Sequence, residues 1–409
     1  MTQTAPASLR LHLGLYGRRN AGKSSLVNAL TGQQVAIVSP VAGTTTDPVE
    51  KAMELLPLGP VLFMDTAGID DDQGDLGAMR IAATRRTLDR CELALIVAGP
   101  AGWGAPERSL AEECRRRAIP AIAVFNHADV AAPDPALLTE LRAAGLPAVA
   151  CSALTGAGIA DLRAALIAQA PESALAPPVL LGDLVPPGGL AVLVVPIDTE
   201  APKGRLIMPQ VQAIRDLLDH DSLALVVKER ELRSALERLN RPPDLVVTDS
   251  QAFLKVAGDV PDAVPMTSFS ILFARLKGDL ATLARGAAAI ERLKTGDRVL
   301  MAESCTHHPI GEDIGRVKIP RWLTQYVGGQ LDFRTTAGKD FPADLADHRL
   351  VVHCGSCTTN RRLMLTRMEA CRAAGVPITN YGLAIAWSLG IFPRALRPFP
   401  GVYEEVCRG

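Results

Sequence analysis

Five residues with metal-binding side chains stand in two short clusters late in the chain, Cys305-Thr306-His307 and His353-Cys354-Gly355-Ser356-Cys357. Thiolates bind soft metals, and a Cys-x-x-Cys pair lets two sulfurs reach one centre. Three cysteines and a histidine suit structural zinc. They suit equally an iron–sulfur cluster held by three thiolates, with its fourth iron on another ligand. Stray buried thiols and a capping histidine would be the bland account. Five such side chains in eight positions seldom arise without a metal.

A second set of chemistry-bearing residues opens the chain. Gly17-Arg18-Arg19-Asn20-Ala21-Gly22-Lys23-Ser24 matches G-x-x-x-x-G-K-[ST]. Glycines let backbone N–H groups wrap phosphates, and a helix N-terminus adds favourable partial charge. The loop from Asn20 through Ala21 and Gly22 to Ser25 is expected to cradle them. Lys23 neutralises the outer phosphates and Ser24 can ligate magnesium. Asp65, in Asp65-Thr66-Ala67-Gly68, stands where a carboxylate holds magnesium through water, and the Gly68 N–H can approach the γ-phosphate. Thr45, in Gly43-Thr44-Thr45-Thr46-Asp47, suits a switch that closes a threonine onto magnesium. Lys23, Thr45 and Gly68 are thus the catalytic candidates. In Asn126-His127-Ala128-Asp129, a carboxylate can accept two hydrogen bonds from guanine, which adenine cannot offer. Ser152 and Ala153 follow as the base-side loop. The five segments occur in the order that a GTP site requires.

These residues need strands to carry them. Leu9–Tyr16 reads as a strand leading into the glycine loop, with Ser25–Leu30 as the helix behind it. Val61–Met64, Ala121–Phe125 and the stretch around Val149 read as further strands. Pro171–Pro187 is rich in proline, alanine and glycine and reads as a linker. Leu190–Ile197, Leu223–Val227 and Asp244–Thr248 read as strands around two helices, a βαβαβ unit without site chemistry and best taken as a packing or oligomerisation domain. Lys203 and Arg205 lie in a long loop there and read as a solvated pair. Arg298–Ala302 and Arg349–Val352 are strands that deliver the two metal-binding clusters just past their carboxyl ends, where parallel α/β sheets gather ligands. Gly311–Val327 is expected to be a covering helix interrupted at Pro320. The expected class is α/β. A P-loop GTPase domain spans 1–170, a linker 171–187, a βαβ domain 188–262 and an α/β metal-binding domain 263–409.

Composition sets the outer limits. Hydrophobic residues make up 48% and charged residues 21% of the 409, as in a soluble globular protein. The net charge of −1 gives no support for a nucleic-acid surface. No apolar run is long enough to cross a bilayer, and no signal peptide is evident at the start. Eight cysteines in such a chain argue for reduced thiols and a cytoplasmic location. Cys91, Cys114, Cys151, Cys371 and Cys407 read as small apolar residues.

The first 170 or so residues resemble the small GTPases of tRNA modification and ribosome assembly. In that branch an asparagine at the place of Asn20 helps hold potassium beside the phosphates. Ile69 stands where Ras-like GTPases carry a water-positioning glutamine, so hydrolysis is expected to be slow and potassium-stimulated. His127 departs from the lysine usual there. Taken whole, a GTPase, a βαβ domain and a C-x-H…H-C-x-x-C domain resemble the FeFe-hydrogenase maturation GTPases, the HydF family. The resemblance implies a scaffold that binds a 4Fe-4S cluster through Cys305, Cys354 and Cys357. His307 or His353 then becomes a candidate for the fourth iron. It also implies a transient diiron precursor made by radical enzymes, delivery to the hydrogenase apoprotein, and a homodimer paired through the middle domain, with no nucleic acid or membrane as partner. An RNA- or ribosome-associated GTPase with a structural zinc domain is the alternative.

Overall fold

The computed structural model describes residues 5–32, 49–66, 68, 84, 86–176, 178–196, 206–304, 313–338 and 340–408. They form two compact units, Met1–Pro177 and Pro178–Gly409.

The first unit is built on one six-stranded sheet. Its strands are β1 (Leu11–Gly17), β2 (Val49–Leu55), β3 (Gly59–Asp65), β4 (Leu93–Ala98), β5 (Ala121–Phe125) and β6 (Ala148–Ala150). They lie in the order β2-β3-β1-β4-β5-β6, with only the edge strand β2 antiparallel to its neighbour. Side chains alternate between two apolar layers because successive residues of a strand face opposite sides. Leu13 and Leu15 join the helices Lys23–Thr31 and Ile159–Gln169 through Leu26, Leu30, Leu162 and Leu166. Tyr16 and Ile96 join the helix Ala105–Arg116 through Leu110 and Cys114 on the other side. β1 is therefore buried along its whole length, and it holds the glycine loop rigidly at its end.

The second unit contains two four-stranded, wholly parallel sheets, as its alternation of strands and helices requires. The first is made of β7 (Leu190–Val194), β8 (Leu223–Val227), β9 (Leu245–Thr248) and β10 (Met266–Ser268), in the order β10-β9-β7-β8. The second is made of β11 (Arg298–Ala302), β12 (Asp332–Thr336), β13 (Leu350–His353) and β14 (Ile378–Asn380), in the order β12-β11-β13-β14. One hydrophobic core runs through both, from Leu180 to Phe399. The boundary expected at 262/263 falls inside that core, just before β10.

The expected linker needs correction. Residues 178–187 belong to the second unit: Leu180, Leu181 and Val185 are buried in its core. The Asp216 carboxylate accepts hydrogen bonds from the backbone N–H groups of Leu180, Leu181 and Gly182 at 3.2, 2.8 and 2.7 Å. A stretch punctuated by prolines and glycine is thus ordered by one distant carboxylate, which local composition does not reveal.

The covering helix has its irregularity at Pro320, as expected. Ile314–Lys318 forms a π turn that runs into the α-helix Ile319–Val327, and Pro320 lies in the first turn of that α-helix. The chain is already helical before Pro320, and the change from π to α bonding falls where the proline removes an N–H donor.

Candidate functional site

The glycine loop takes its shape from backbone conformation. Asn20 and Gly22 adopt left-handed φ angles of 59° and 80°. At Gly22 the turn and the crowding both demand glycine, because a Cβ there would lie 2.2 Å from Asn126 Nδ2. Gly22 caps the helix Lys23–Thr31 without contributing a side-chain acceptor. The first-turn N–H groups are thereby left to the loop side, the arrangement that binds an anion. Lys23 Nζ arches over the loop and donates to Gly17 O at 2.9 Å and Arg18 O at 3.0 Å. Ser24 Oγ donates to Asp65 Oδ2 at 2.6 Å, so the two expected magnesium residues meet directly. Gly68 is half-buried beyond them. Thr45 and Ile69 lie outside the described residues.

Asn126 plays a part that the motif alone does not show. It is 3% exposed. Its Nδ2 donates to Ala21 O at 3.0 Å, and its Oδ1 accepts from Ala153 N–H at 3.0 Å. It therefore ties the phosphate loop to the base-side loop. Ser152 is buried and its Oγ accepts from Thr155 N–H. Asp129, the expected base-reading carboxylate, is exposed. His127 has a left-handed φ of 62°, and its Nε2 lies 2.9 Å from where a Cβ on Gly22 would stand. The imidazole thus packs onto the loop.

One anchor was not expected from the sequence. Arg18, in the loop itself, donates to both carboxylate oxygens of Glu107 at 2.7 and 2.9 Å, and Glu107 is fully buried. Glu107 also accepts from Gly104 N–H at 2.9 Å. Bidentate pairs of this kind add geometric definition as well as energy. Glu107 sits in the first turn of an amphipathic helix, where a glutamate reads as a simple cap.

The two central strands of the second sheet, β11 and β13, lead toward the candidate metal-binding clusters. Ala302 pairs with His353, and Cys354 N–H continues the ladder by donating to Ala302 O at 2.8 Å. Ser304 N–H donates to Cys354 Sγ at 3.1 Å. Ser356, between the two cysteines, is buried with a left-handed φ of 53° and turns the chain toward Cys357. Both cysteines are half-buried. Cys305 and His307 lie outside the described residues. Among the described residues no group of three or more His, Cys, Asp or Glu gathers as a metal site. The described half nonetheless fits a thiolate-held centre. It brings two half-buried thiols onto one turn and aims an amide N–H at one of the sulfurs.

His353 is wholly buried, and burial together with the neighbouring Arg367 brings its pKa down to about 3. Its Nδ1 lies 2.8 Å from Cys354 O and its Nε2 lies 2.9 Å from Arg367 Nη1. A guanidinium only donates, so Nε2 must be the acceptor and Nδ1 must carry the proton. Both ring nitrogens of this candidate fourth ligand are therefore engaged within the protein.

The remaining thiols behave as apolar residues. Cys91, Cys114, Cys151 and Cys371 are buried, and Cys407 is half-buried. Burial raises Cys91 and Cys151 to about 11 and Cys371 to about 12, far from a ligating thiolate.

Fold and sites together define a P-loop GTPase domain followed by a parallel α/β unit that presents cysteines at its strand ends. Residues 180–278 match the hydrogen maturase F dimerization domain and residues 281–398 the hydrogen maturase F tetramerization domain, while residues 12–127 match a GTPase family described as 50S ribosome-binding. The chain belongs to the hydrogen maturase F family.

Curated relatives cover the GTPase portion. The tRNA modification GTPase MnmE of Chromobacterium violaceum is 38% identical over 122 residues, 30% of this chain and 27% of that protein. GTPase Der of Wolinella succinogenes is 43% identical over 97 residues, 23% of this chain and 20% of that protein. The chain thus spans about a third or less of the length of such relatives. Among solved structures, Era bound to MgGDPNP and a segment of 16S ribosomal RNA is similar with a TM-score of 0.35 and 21% identity, over 53% of this chain and 91% of that one. The G domain of the T. maritima FeoB iron transporter gives 0.30 and 23%, over 39% of this chain and 98% of that one.

Proposed function

We propose that the chain is a GTP-hydrolysing scaffold for maturation of FeFe-hydrogenase, binding a 4Fe-4S cluster and passing a diiron unit to the hydrogenase apoprotein. The observation that supports it best is the joining of a complete phosphate loop to two hydrogen maturase F regions, the second of which carries Cys354 and Cys357 at the end of a central strand.

On this reading Lys23 and the first-turn N–H groups bind the phosphates of GTP, and Asp129 selects guanine. Ser24 and Asp65 would hold magnesium, which supplies charge neutralisation at the phosphates when bound. The water-positioning glutamine being replaced by Ile69, hydrolysis is slow. Asn20, exposed at the loop's crest, offers its side-chain oxygen to potassium. Cys305, Cys354 and Cys357 would hold the cluster, which supplies an iron open to an exchangeable ligand. The diiron unit, as cargo, would dock there after its synthesis by radical enzymes.

The middle region fits a pairing role. β8 is the edge of its sheet, with Leu223 and Val226 exposed, and Val211 and Leu218 are exposed on the helix Met208–Asp219 that packs beside it. An open parallel edge flanked by apolar side chains suits a twofold dimer. Among the described residues no helix is long and apolar enough to cross a membrane.

Anaerobic purification, reconstitution with iron and sulfide, and EPR of the reduced protein test the reading. A brown protein with a cubane signal, lost in Cys354→Ser, is the expected result. A colourless protein with stoichiometric zinc would overturn it.

A further inference from the structure

The helix Arg361–Ala373 buries Leu363, Met364, Arg367, Met368 and Cys371. Position 367 thus lies on the core-facing stripe, where an apolar side chain is the ordinary choice. Instead a guanidinium enters the core behind the thiol loop, with Arg367 only 2% exposed. Its Nη1 serves two acceptors, His353 Nε2 at 2.9 Å and Ser304 Oγ at 3.2 Å. Its Nη2 reaches Gly338 O at 2.8 Å and Asp340 O at 3.4 Å, and the group lies over the Phe341 ring at 5.1 Å. Ser304 in turn gives its backbone N–H to Cys354 Sγ at 3.1 Å. One residue therefore separates a permanent positive charge from the sulfur of a candidate ligand.

We propose that Arg367 is a positioning residue for the iron–sulfur centre, holding His353 away from the metal and placing a buried cation beside the Cys354 thiolate. The geometry leaves His353 no lone pair for iron: one nitrogen accepts from Arg367 and the other carries the proton given to Cys354 O. The planar fork is what allows Arg367 to serve the imidazole, the serine and two carbonyls at once, which an ammonium cannot do. The buried cation also opposes the negative charge that thiolates would bring to the loop beside it. His353 is thus a brace of the thiol loop, and the fourth position on the metal is left to other donors.

This inference rests on the cluster-binding reading above. Its test uses the full-length protein with 15N-labelled histidine, reconstituted with iron and sulfide. Pulsed EPR of the reduced His307→Ala protein, in which His353 is the motif's remaining histidine, is expected to show no iron-bound imidazole nitrogen. Arg367→Met is expected to keep the cluster but shift its midpoint potential to more negative values, and Arg367→Lys, which keeps the charge, to return most of that shift. A directly bound 15N that disappears on further change of His353 to Gln would overturn the positioning role, as would an unaltered potential in Arg367→Met. Should Arg367→Met fail to fold, the labelled His307→Ala protein still decides, because it leaves Arg367 in place. A wild-type protein that takes up no iron–sulfur centre would overturn the cluster reading and this inference with it. A loaded centre with a bound His353 nitrogen overturns this inference alone.

Discussion

The phosphate loop and the thiol loop occupy comparable places, each just past the carboxyl end of a buried central strand flanked by parallel neighbours. They are made by opposite means. Between Gly17 and Ser24 the shape comes from main-chain angles, with Asn20 and Gly22 left-handed and a helix N-terminus left to the ligand. Between His353 and Cys357 the shape comes from buried side chains, with Arg367, His353, Ser304 and Ser356 bonded to one another. A backbone-made site is vulnerable wherever a Cβ intrudes. A side-chain-made site is vulnerable wherever one member of a buried polar network is removed and its partners are left unsatisfied.

The comparison is broken most severely by a reciprocal pair of changes. Lys23→Ala should lower GTP turnover about a hundredfold or more, because it removes the cation over the phosphates. Iron content after reconstitution should stay at the wild-type level. Cys354→Ser should do the reverse, losing the cluster with turnover unchanged. Loss of both properties in either variant would show that the two sites are not separable.

Next in size is Gly22→Ala, which places a methyl group against Asn126 Nδ2 at a left-handed φ. Strain of this kind costs about 1–3 kcal/mol. It should fall on GTP affinity and on the melting of the first unit, read by calorimetry with and without nucleotide. A variant with wild-type affinity would mean that the loop is less fixed than its contacts with Asn126 imply.

The smallest expected effect concerns the monovalent cation. Turnover should be faster in potassium than in sodium chloride at equal ionic strength, and Asn20→Ala should remove the difference without abolishing the basal rate. Equal rates in the two salts for the wild-type protein would refute a role for Asn20 in holding the ion.

Much of the phosphate site was legible because its chemistry is local. Eight contiguous residues, Gly17 to Ser24, carry the turn, the charge and the candidate magnesium donor, and β1 leading into them reads as a buried run. The place of Cys354 and Cys357 was legible for a similar reason, as they follow directly on the apolar strand β13. What escaped was non-local. Arg367 looks like any solvated helical arginine until the stripe through Met364, Met368 and Cys371 shows which face is buried. Asp216 orders a distant stretch by accepting three N–H groups, so residues 178–187 passed as linker. The strands β2 and β12 are half-exposed and rich in charged or polar residues, which masks their period, and both lie at sheet edges where packing asks little of sequence. Glu107 is buried only because Arg18, far away in the chain, needs its carboxylate.

The unbroken core of the second unit has a thermodynamic corollary. The helix Phe269–Lys277, from the dimerization region, packs on the helices Leu280–Ala288, Arg361–Ala373 and Tyr381–Ser388 of the tetramerization region. Such a block unfolds cooperatively, so whatever binds only its folded form stabilises every part of it by mass action. A second copy seated on β8, as proposed above, would therefore protect the backbone amides of β13, one sheet away. Hydrogen exchange at the thiol loop's own strand should slow as protein concentration rises.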